Sequence, residues 1–156
     1  MATEIERKFL LKDDSWKKEA DQGTRYSQGY LVGSQFASVR VRIQGEQAFL
    51  NIKSATIDIT RQEYEYEIPL TEAQEMLETL CDKPLIDKTR YFVNAGQHTW
   101  EIDVFAGDNQ GLCVAEIELN DKDEHFAKPA WLGNEVSNDP RYYNVSLVKH
   151  PFKDWS

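Results

Sequence analysis

Apolar and polar residues alternate along most of the chain. Residues 3–11 place Ile5, Phe9 and Leu11 on one parity and Glu4, Glu6 and Lys8 on the other. That two-residue period predicts a strand with one apolar and one polar face. Further strands are predicted at 27–33, 37–43, 47–55, 60–68, 86–94, 98–105 and 112–119. Turns at Gly45-Glu46, Ala95-Gly96-Gln97 and Gly107 to Gly111 join successive runs.

The period changes in two places. From Glu72 to Cys81 the apolar Ala73, Met76, Leu77 and Leu80 recur at helical spacing, with Thr71 placed as the cap and Pro84 just beyond the end. Asp139-Pro140 predicts a second helix, with Asp as cap and Pro in the first turn. It would run to about Lys149, burying Tyr142, Val145 and Leu147 or Val148. Glu124 to Lys128 reads as a short helical turn, and 131–137 as a short strand.

Eight strands at hairpin spacing, without repeat or linker, predict one domain over 1–156. The fold class is α+β and mainly β: a closed eight-stranded antiparallel barrel with helices packed outside. A sandwich would use the same strands, but closure leaves no exposed edges. The C-terminal apolar stripe packs on the outside or closes one barrel mouth.

The polar faces change this picture most. Six strands carry a charge doublet at i and i+2: Glu4/Glu6, Arg40/Arg42, Glu63/Glu65, Lys88/Arg90, Glu101/Asp103 and Glu116/Glu118. Lys53 stands alone on its strand, and Arg61 shares the parity of Glu63. Like charges on neighbouring sheet positions repel by roughly a few tenths of a kcal/mol. Cross-strand ion pairs on an exposed face are one explanation, each worth about 0–1 kcal/mol. The other is that these faces line a barrel, where cations hold polyanion oxygens and carboxylates hold hard divalent metals.

Composition narrows the ligand. The 156 residues are 40% hydrophobic and 29% charged, with a formal net charge of −9. That charge argues against nucleic-acid and anionic membrane partners. It does not exclude a phosphate ligand, since a basic pocket can sit inside an acidic shell. No apolar run approaches the ~18 residues of a spanning helix. No secretory segment is evident, and Cys81 and Cys113 form no motif, so reduced thiols in a cytoplasmic protein are expected. His98, His125 and His150 lack zinc-ligand spacing. Oxygen ligands favour Mg²⁺ or Mn²⁺, and a metal on the carboxylates turns a repulsive cluster into a phosphate partner.

The N-terminal Glu4-Ile5-Glu6-Arg7-Lys8 resembles the Glu-x-Glu-x-Lys motif of the CYTH, or triphosphate tunnel metalloenzyme, superfamily. The likeness continues through Val39-Arg40-Val41-Arg42, Asn51-Ile52-Lys53, Arg61-Gln62-Glu63-Tyr64-Glu65, Lys88-Thr89-Arg90-Tyr91, Trp100-Glu101-Ile102-Asp103, Ala115-Glu116-Ile117-Glu118 and Asp139 to Asn144. The resemblance implies an eight-stranded tunnel acting on a triphosphate with a divalent metal, most similar to short bacterial inorganic triphosphatases.

By position the resemblance implies Glu4, Glu6, Glu116 and Glu118 as metal ligands, with Asp103 a further candidate. It implies Lys8, Arg40, Arg42, Lys53, Arg61, Lys88 and Arg90 as substrate binders, Lys8 and Lys88 acting also in catalysis. Tyr30 either bonds a phosphate or is an ordinary half-buried strand tyrosine. Glu63 and Glu65 either handle the attacking water or balance Arg61 and Lys53. The expected reaction is attack of water on a terminal phosphorus, splitting tripolyphosphate into pyrophosphate and phosphate. Thiamine triphosphatase and class IV adenylyl cyclase chemistry are rivals on the same scaffold, and a non-catalytic polyphosphate- or nucleotide-binding module is a rival of another class. Oligomeric state is open, a homodimer included.

Overall fold

The structure is a computed structural model and describes residues 3–55 and 58–155. Nine strands form: β1 (Thr3–Leu11), β2 (Thr24–Gly33), β3 (Ala37–Gln44), β4 (Gln47–Ser54), β5 (Thr60–Ile68), β6 (Ile86–Ala95), β7 (His98–Phe105), β8 (Cys113–Leu119) and β9 (Leu132–Glu135). Two helices accompany them, α1 (Leu70–Thr79) and α2 (Asn144–Lys149). Every adjacent pair is antiparallel. The order β5-β4-β3-β2-β6-β7-β8-β1 closes through pairing of β5 with β1, which makes the predicted eight-stranded barrel.

The ninth strand shares an edge with the closure. β5 pairs with Thr3 to Ile5, whereas β9 pairs with Phe9 and Leu11 of the same strand. Between them the chain bonds Glu6 N–H to the Ile59 carbonyl at 2.9 Å, and Val136 N–H to the Lys8 carbonyl at 2.8 Å. The donors and acceptors of β1 are thereby satisfied along a stretch where no single strand covers it.

The outward faces bury apolar residues in two places. Trp100 is fully buried, with edge-on ring contacts to Phe9 (5.6 Å), Phe126 (5.7 Å) and Trp131 (5.7 Å). Trp16, on a short turn at Ser15–Lys18, packs beside Tyr91. Truncating a Trp in such a cluster costs about 3–5 kcal/mol. Elsewhere α1 lays Ala73 and Leu77 over Val41 and Ala48.

α2 does something different. Its Leu147 and Val148 cluster with Tyr30, Ile86, Phe105, Leu112 and Val114. Apart from Leu112, which precedes β8, these strand residues have the parity of the charged inner face. The barrel interior is therefore split along its axis, charged at one end and apolar at the other, and the C-terminal helix closes the apolar end.

Three local expectations change. α1 begins at Leu70 with extended Pro69 as its cap (φ −60°, ψ 137°), two residues earlier than Thr71 would give. Glu124 to Lys128 forms no helical turn, because Glu124 accepts from Asn120 N–H at 2.7 Å and Phe126 packs on Trp100. The predicted helix from Asp139 is broken. Asp139 does accept from Arg141 N–H at 3.1 Å, but Tyr143 is extended (φ −74°, ψ 137°) and separates a turn at Pro140–Tyr142 from α2.

Candidate active site

The charged end of the barrel is a cavity of about 350 Å³. Six cations line it: Lys8, Arg40, Arg42, Lys53, Arg61 and Arg90. Eight carboxylates share the wall: Glu4, Glu6, Asp58, Glu63, Glu65, Glu101, Glu116 and Glu118. Strand parity puts them there, since each doublet turns its side chains to the face opposite the outer apolar clusters. The wall is thus slightly acidic overall, although it is rich in cations.

Three carboxylates converge. Oxygens of Glu6, Glu101 and Glu116 lie within 4.8 Å of one another. The register explains this: Glu101 faces Glu116 across β7 and β8, while Lys8 faces Glu116 and Glu6 faces Glu118 across β8 and β1. Burial, and next the Glu116 charge, push the Glu6 carboxyl well above its ordinary value. Against burial, Lys8, Arg90 and the hydrogen bond from Glu6 hold Glu116 well below its own. Burial raises Glu101 as well. The cations near this group do not balance its three carboxylates, and a hard divalent cation fits such a set of converging oxygens.

Of the residues predicted as metal ligands, the structure brings Glu6 and Glu116 into this group. Glu4 lies instead 3.0 Å from Lys53 Nζ. Glu118 is exposed on the cavity wall, its carboxyl raised by burial and by Glu4 and Glu63. Asp103 is wholly buried and does not line the cavity. Its oxygens accept from Lys88 Nζ at 2.7 Å and from Arg90 at 2.7 and 2.9 Å.

The predicted phosphate binders divide similarly. Arg42 donates to Glu65 at 3.0 Å, and its guanidinium lies 5.3 Å from the Phe49 ring centre. Lys53 bridges Glu4 and Glu63, at 3.0 and 3.3 Å. Arg90 reaches Glu101 at 3.2 Å as well as Asp103. Lys8 Nζ donates to the Tyr142 carbonyl at 2.9 Å and stands 3.6 Å from Glu116. Among the described residues, Arg40 and Arg61 are the two cavity cations with no carboxylate in ion-pair range. Arg40 meets Asn51 Oδ1 at 3.4 Å, and Arg61 sits 4.4 Å from the Tyr143 ring centre. Tyr30 is buried on the wall, facing Arg40 across β2 and β3. Lys88 lies behind the wall at 2% exposure, and burial pulls its ammonium down to about 8.

Sequence reasoning left several wall residues out of the site. Glu101 shares a face with Asp103 and was legible as one of its doublet. Asn51, which donates to Glu65 at 2.7 Å, has the parity of Lys53. Tyr143 had no periodic signal, because it reaches the cavity only through the break in the tail.

The fold and wall together define a closed barrel that encloses one cavity rich in both cations and carboxylates. The chain belongs to the CYTH domain family, whose model matches residues 2–150. It is 48% identical over 155 residues to an inorganic triphosphatase of Acetivibrio thermocellus, covering 99% of each chain. It is 37% identical over 151 residues to an inorganic triphosphatase of Nitrosomonas europaea, covering 94% of this chain and 97% of that one. The crystal structure of an inorganic triphosphatase superposes with a TM-score of 0.66 at 35% identity, over 95% of each chain. A putative adenylyl cyclase from Hippeastrum shares the fold, with a TM-score of 0.57 at 14% identity over 78% of this chain and 80% of that one.

Proposed function

We propose that this chain is a single-domain, cytoplasmic, divalent-metal-dependent hydrolase that splits inorganic tripolyphosphate into pyrophosphate and phosphate. The observation that carries this reading is the convergence of six cations and eight carboxylates on one cavity, three of the carboxylates within 4.8 Å. Relatives near full length bearing the name inorganic triphosphatase support it.

Glu6, Glu101 and Glu116 are the residues that would hold the metal, with Glu4 and Glu118 beside them on the same wall. Mg²⁺ or Mn²⁺ suits an all-carboxylate set. When bound, such a cation supplies charge neutralisation and Lewis acidity to phosphoryl oxygens.

The chain's own residues supply the rest. Arg40 and Arg61, lacking carboxylate partners, are the first hooks for an incoming triphosphate. Arg42 and Lys53 are held by Glu65 and by Glu4 with Glu63. When phosphate oxygens take over these cations, Glu63 and Glu65 lose them as partners. Either carboxylate is then placed to accept the proton of an attacking water. Lys8 and Arg90 stabilise charge that builds on the leaving pyrophosphate. Lys88 acts from behind the wall, by fixing Asp103 and through it Arg90. The cavity volume of about 350 Å³ is near the low end of the ~300–1,000 Å³ usual for small-molecule sites. Fourteen charged side chains dominate its wall, beside four aromatic rings, Tyr26, Tyr30, Phe92 and Tyr143.

Phosphate release from tripolyphosphate, ATP and thiamine triphosphate, each with Mg²⁺, Mn²⁺ or EDTA, tests the proposal. Metal-dependent cleavage that prefers tripolyphosphate by at least about tenfold is expected. Cyclic AMP from ATP without tripolyphosphate cleavage would replace it with the cyclase reading. Tight tripolyphosphate binding without release would leave a binding module.

A further inference from the structure

Gln28 lies on β2 between Tyr26 and Tyr30, both of which line the cavity. Its neighbour Gly29 faces outward, where an added Cβ would come within 2.7 Å of Leu85 and 2.8 Å of Cys81. Gln28 therefore points into the barrel, at the boundary between its charged and apolar halves. The side chain is 0% exposed, and neither Oε1 nor Nε2 has a hydrogen-bond partner among the described residues.

A second orphan faces it. The register partner of Gln28 on β3 is Arg42, and the Arg42 Nε–H is also buried without a partner. Directly opposed residues on one face of a sheet have Cβ atoms roughly 5 Å apart, within reach of an amide and a guanidinium. Yet the two do not bond here. The Arg42 guanidinium is drawn toward Glu65 at 3.0 Å, and Asn51 bonds the same Glu65 oxygen at 2.7 Å. On the β6 side Gln28 faces Ile86, which offers no side-chain polar atom.

An amide buried with both ends unpaired destabilises the fold that contains it. An apolar residue of the same size would serve this ligand-free arrangement better. The amide makes sense in an arrangement where Arg42 has left Glu65. We infer that Gln28 positions Arg42 on the substrate: its Oε1 accepts the Nε–H of Arg42 once the guanidinium turns to a phosphate. The terminal nitrogens of Arg42 then form the two-pronged contact with phosphate oxygens. This deepens the tripolyphosphate reading of the cavity and rests on it.

The test is Gln28→Met, which matches the volume and removes both polar atoms. Its melting temperature without ligand should equal or exceed that of the wild type. KM for tripolyphosphate should rise about tenfold while kcat stays within about twofold, because Arg42 is no longer held on the bound substrate. In a cycle with Arg42→Lys, which has no Nε–H, the double variant should show no more than about the KM change of Arg42→Lys alone. An unchanged KM in a folded Gln28→Met protein overturns the inference, and so does a fully additive cycle. A clear fall in melting temperature also overturns it, since the amide would then serve the ligand-free fold. Wild-type protein that neither binds nor cleaves tripolyphosphate would instead sink the reading of the cavity itself.

Discussion

Glu101 and Asp103 sit two residues apart on the inner face of β7, yet they belong to opposite kinds of electrostatic assembly. Asp103 is wholly buried with two cations on its oxygens, Lys88 and Arg90. Burial favours neutral Lys88, but against its own burial Asp103 is held below the ordinary carboxylate value by Arg90 and Lys88. That assembly is complete without a ligand. Glu101 joins Glu6 and Glu116, where carboxylates outnumber their cations and burial with the Glu116 charge pushes the Glu6 carboxyl well above its ordinary value. That assembly is incomplete. Both are carboxylates on one face of one strand, so the difference lies in what the neighbouring strands place opposite. β6 puts Arg90 against Asp103, whereas β8 puts Glu116 against Glu101.

The comparison breaks most sharply at Asp103. Asp103→Asn leaves Lys88 and Arg90 without their shared charge, and destabilisation of roughly 3–5 kcal/mol is expected. Urea unfolding in metal-free buffer measures it. A loss under about 1 kcal/mol would mean that Asp103 is not a structural anchor, which would return it to the metal candidates.

Glu6→Gln should do the converse. Glutamine mimics the neutral carboxyl toward which burial and the Glu116 charge shift Glu6, so the metal-free protein should unfold at an unchanged or higher urea concentration. Metal-dependent kcat/KM should fall about 100-fold, near 2.7 kcal/mol. Equal loss of stability and activity would erase the distinction between the two assemblies.

The sequence made the strands legible because alternation is local, and it made the inner face legible because parity is local. Seven of the eight barrel strands start within two residues of where alternation puts them, whereas β2 begins at Thr24, ahead of Ser27. What each doublet does was not local. Deciding between Asp103 and Glu101 as metal candidates required knowing that Arg90 would face one and Glu116 the other. Register is set by turns and by packing across the whole barrel. The tail was least legible. A capped start at Asp139 and helical spacing to Lys149 predicted one helix, but Tyr143 leaves helical geometry. Its ring lies 4.4 Å from Arg61 and 5.7 Å from Lys8. Contact with two cavity cations, a tertiary effect, outweighed the local preference.

The smallest expected effect is in pH, and it sharpens the comparison by its sign. Burial raises Glu6, Glu101 and Glu118 in the folded chain. A group raised on folding binds more protons in the native state, so its stabilisation is full below the unfolded value and is lost as pH rises through the folded one. Metal-free protein should therefore lose stability from the ordinary carboxylate range upward. In the Asp103 assembly the lowered carboxylate contributes its change at still lower pH, and Lys88, pulled down to about 8, opposes the trend only near the top of the range. With saturating Mg²⁺ the slope should reverse. Protons and cation compete for the same oxygens, so metal binding strengthens as Glu6 ionises and adds RT ln(1 + [L]/Kd) to folding. Melting temperatures from about pH 5 to about pH 7.5, in EDTA and in Mg²⁺, should diverge with rising pH. Parallel curves would mean that the proton on Glu6 and the cation do not compete. The three converging carboxylates would then be one more buried structural cluster, no different in kind from the one around Asp103.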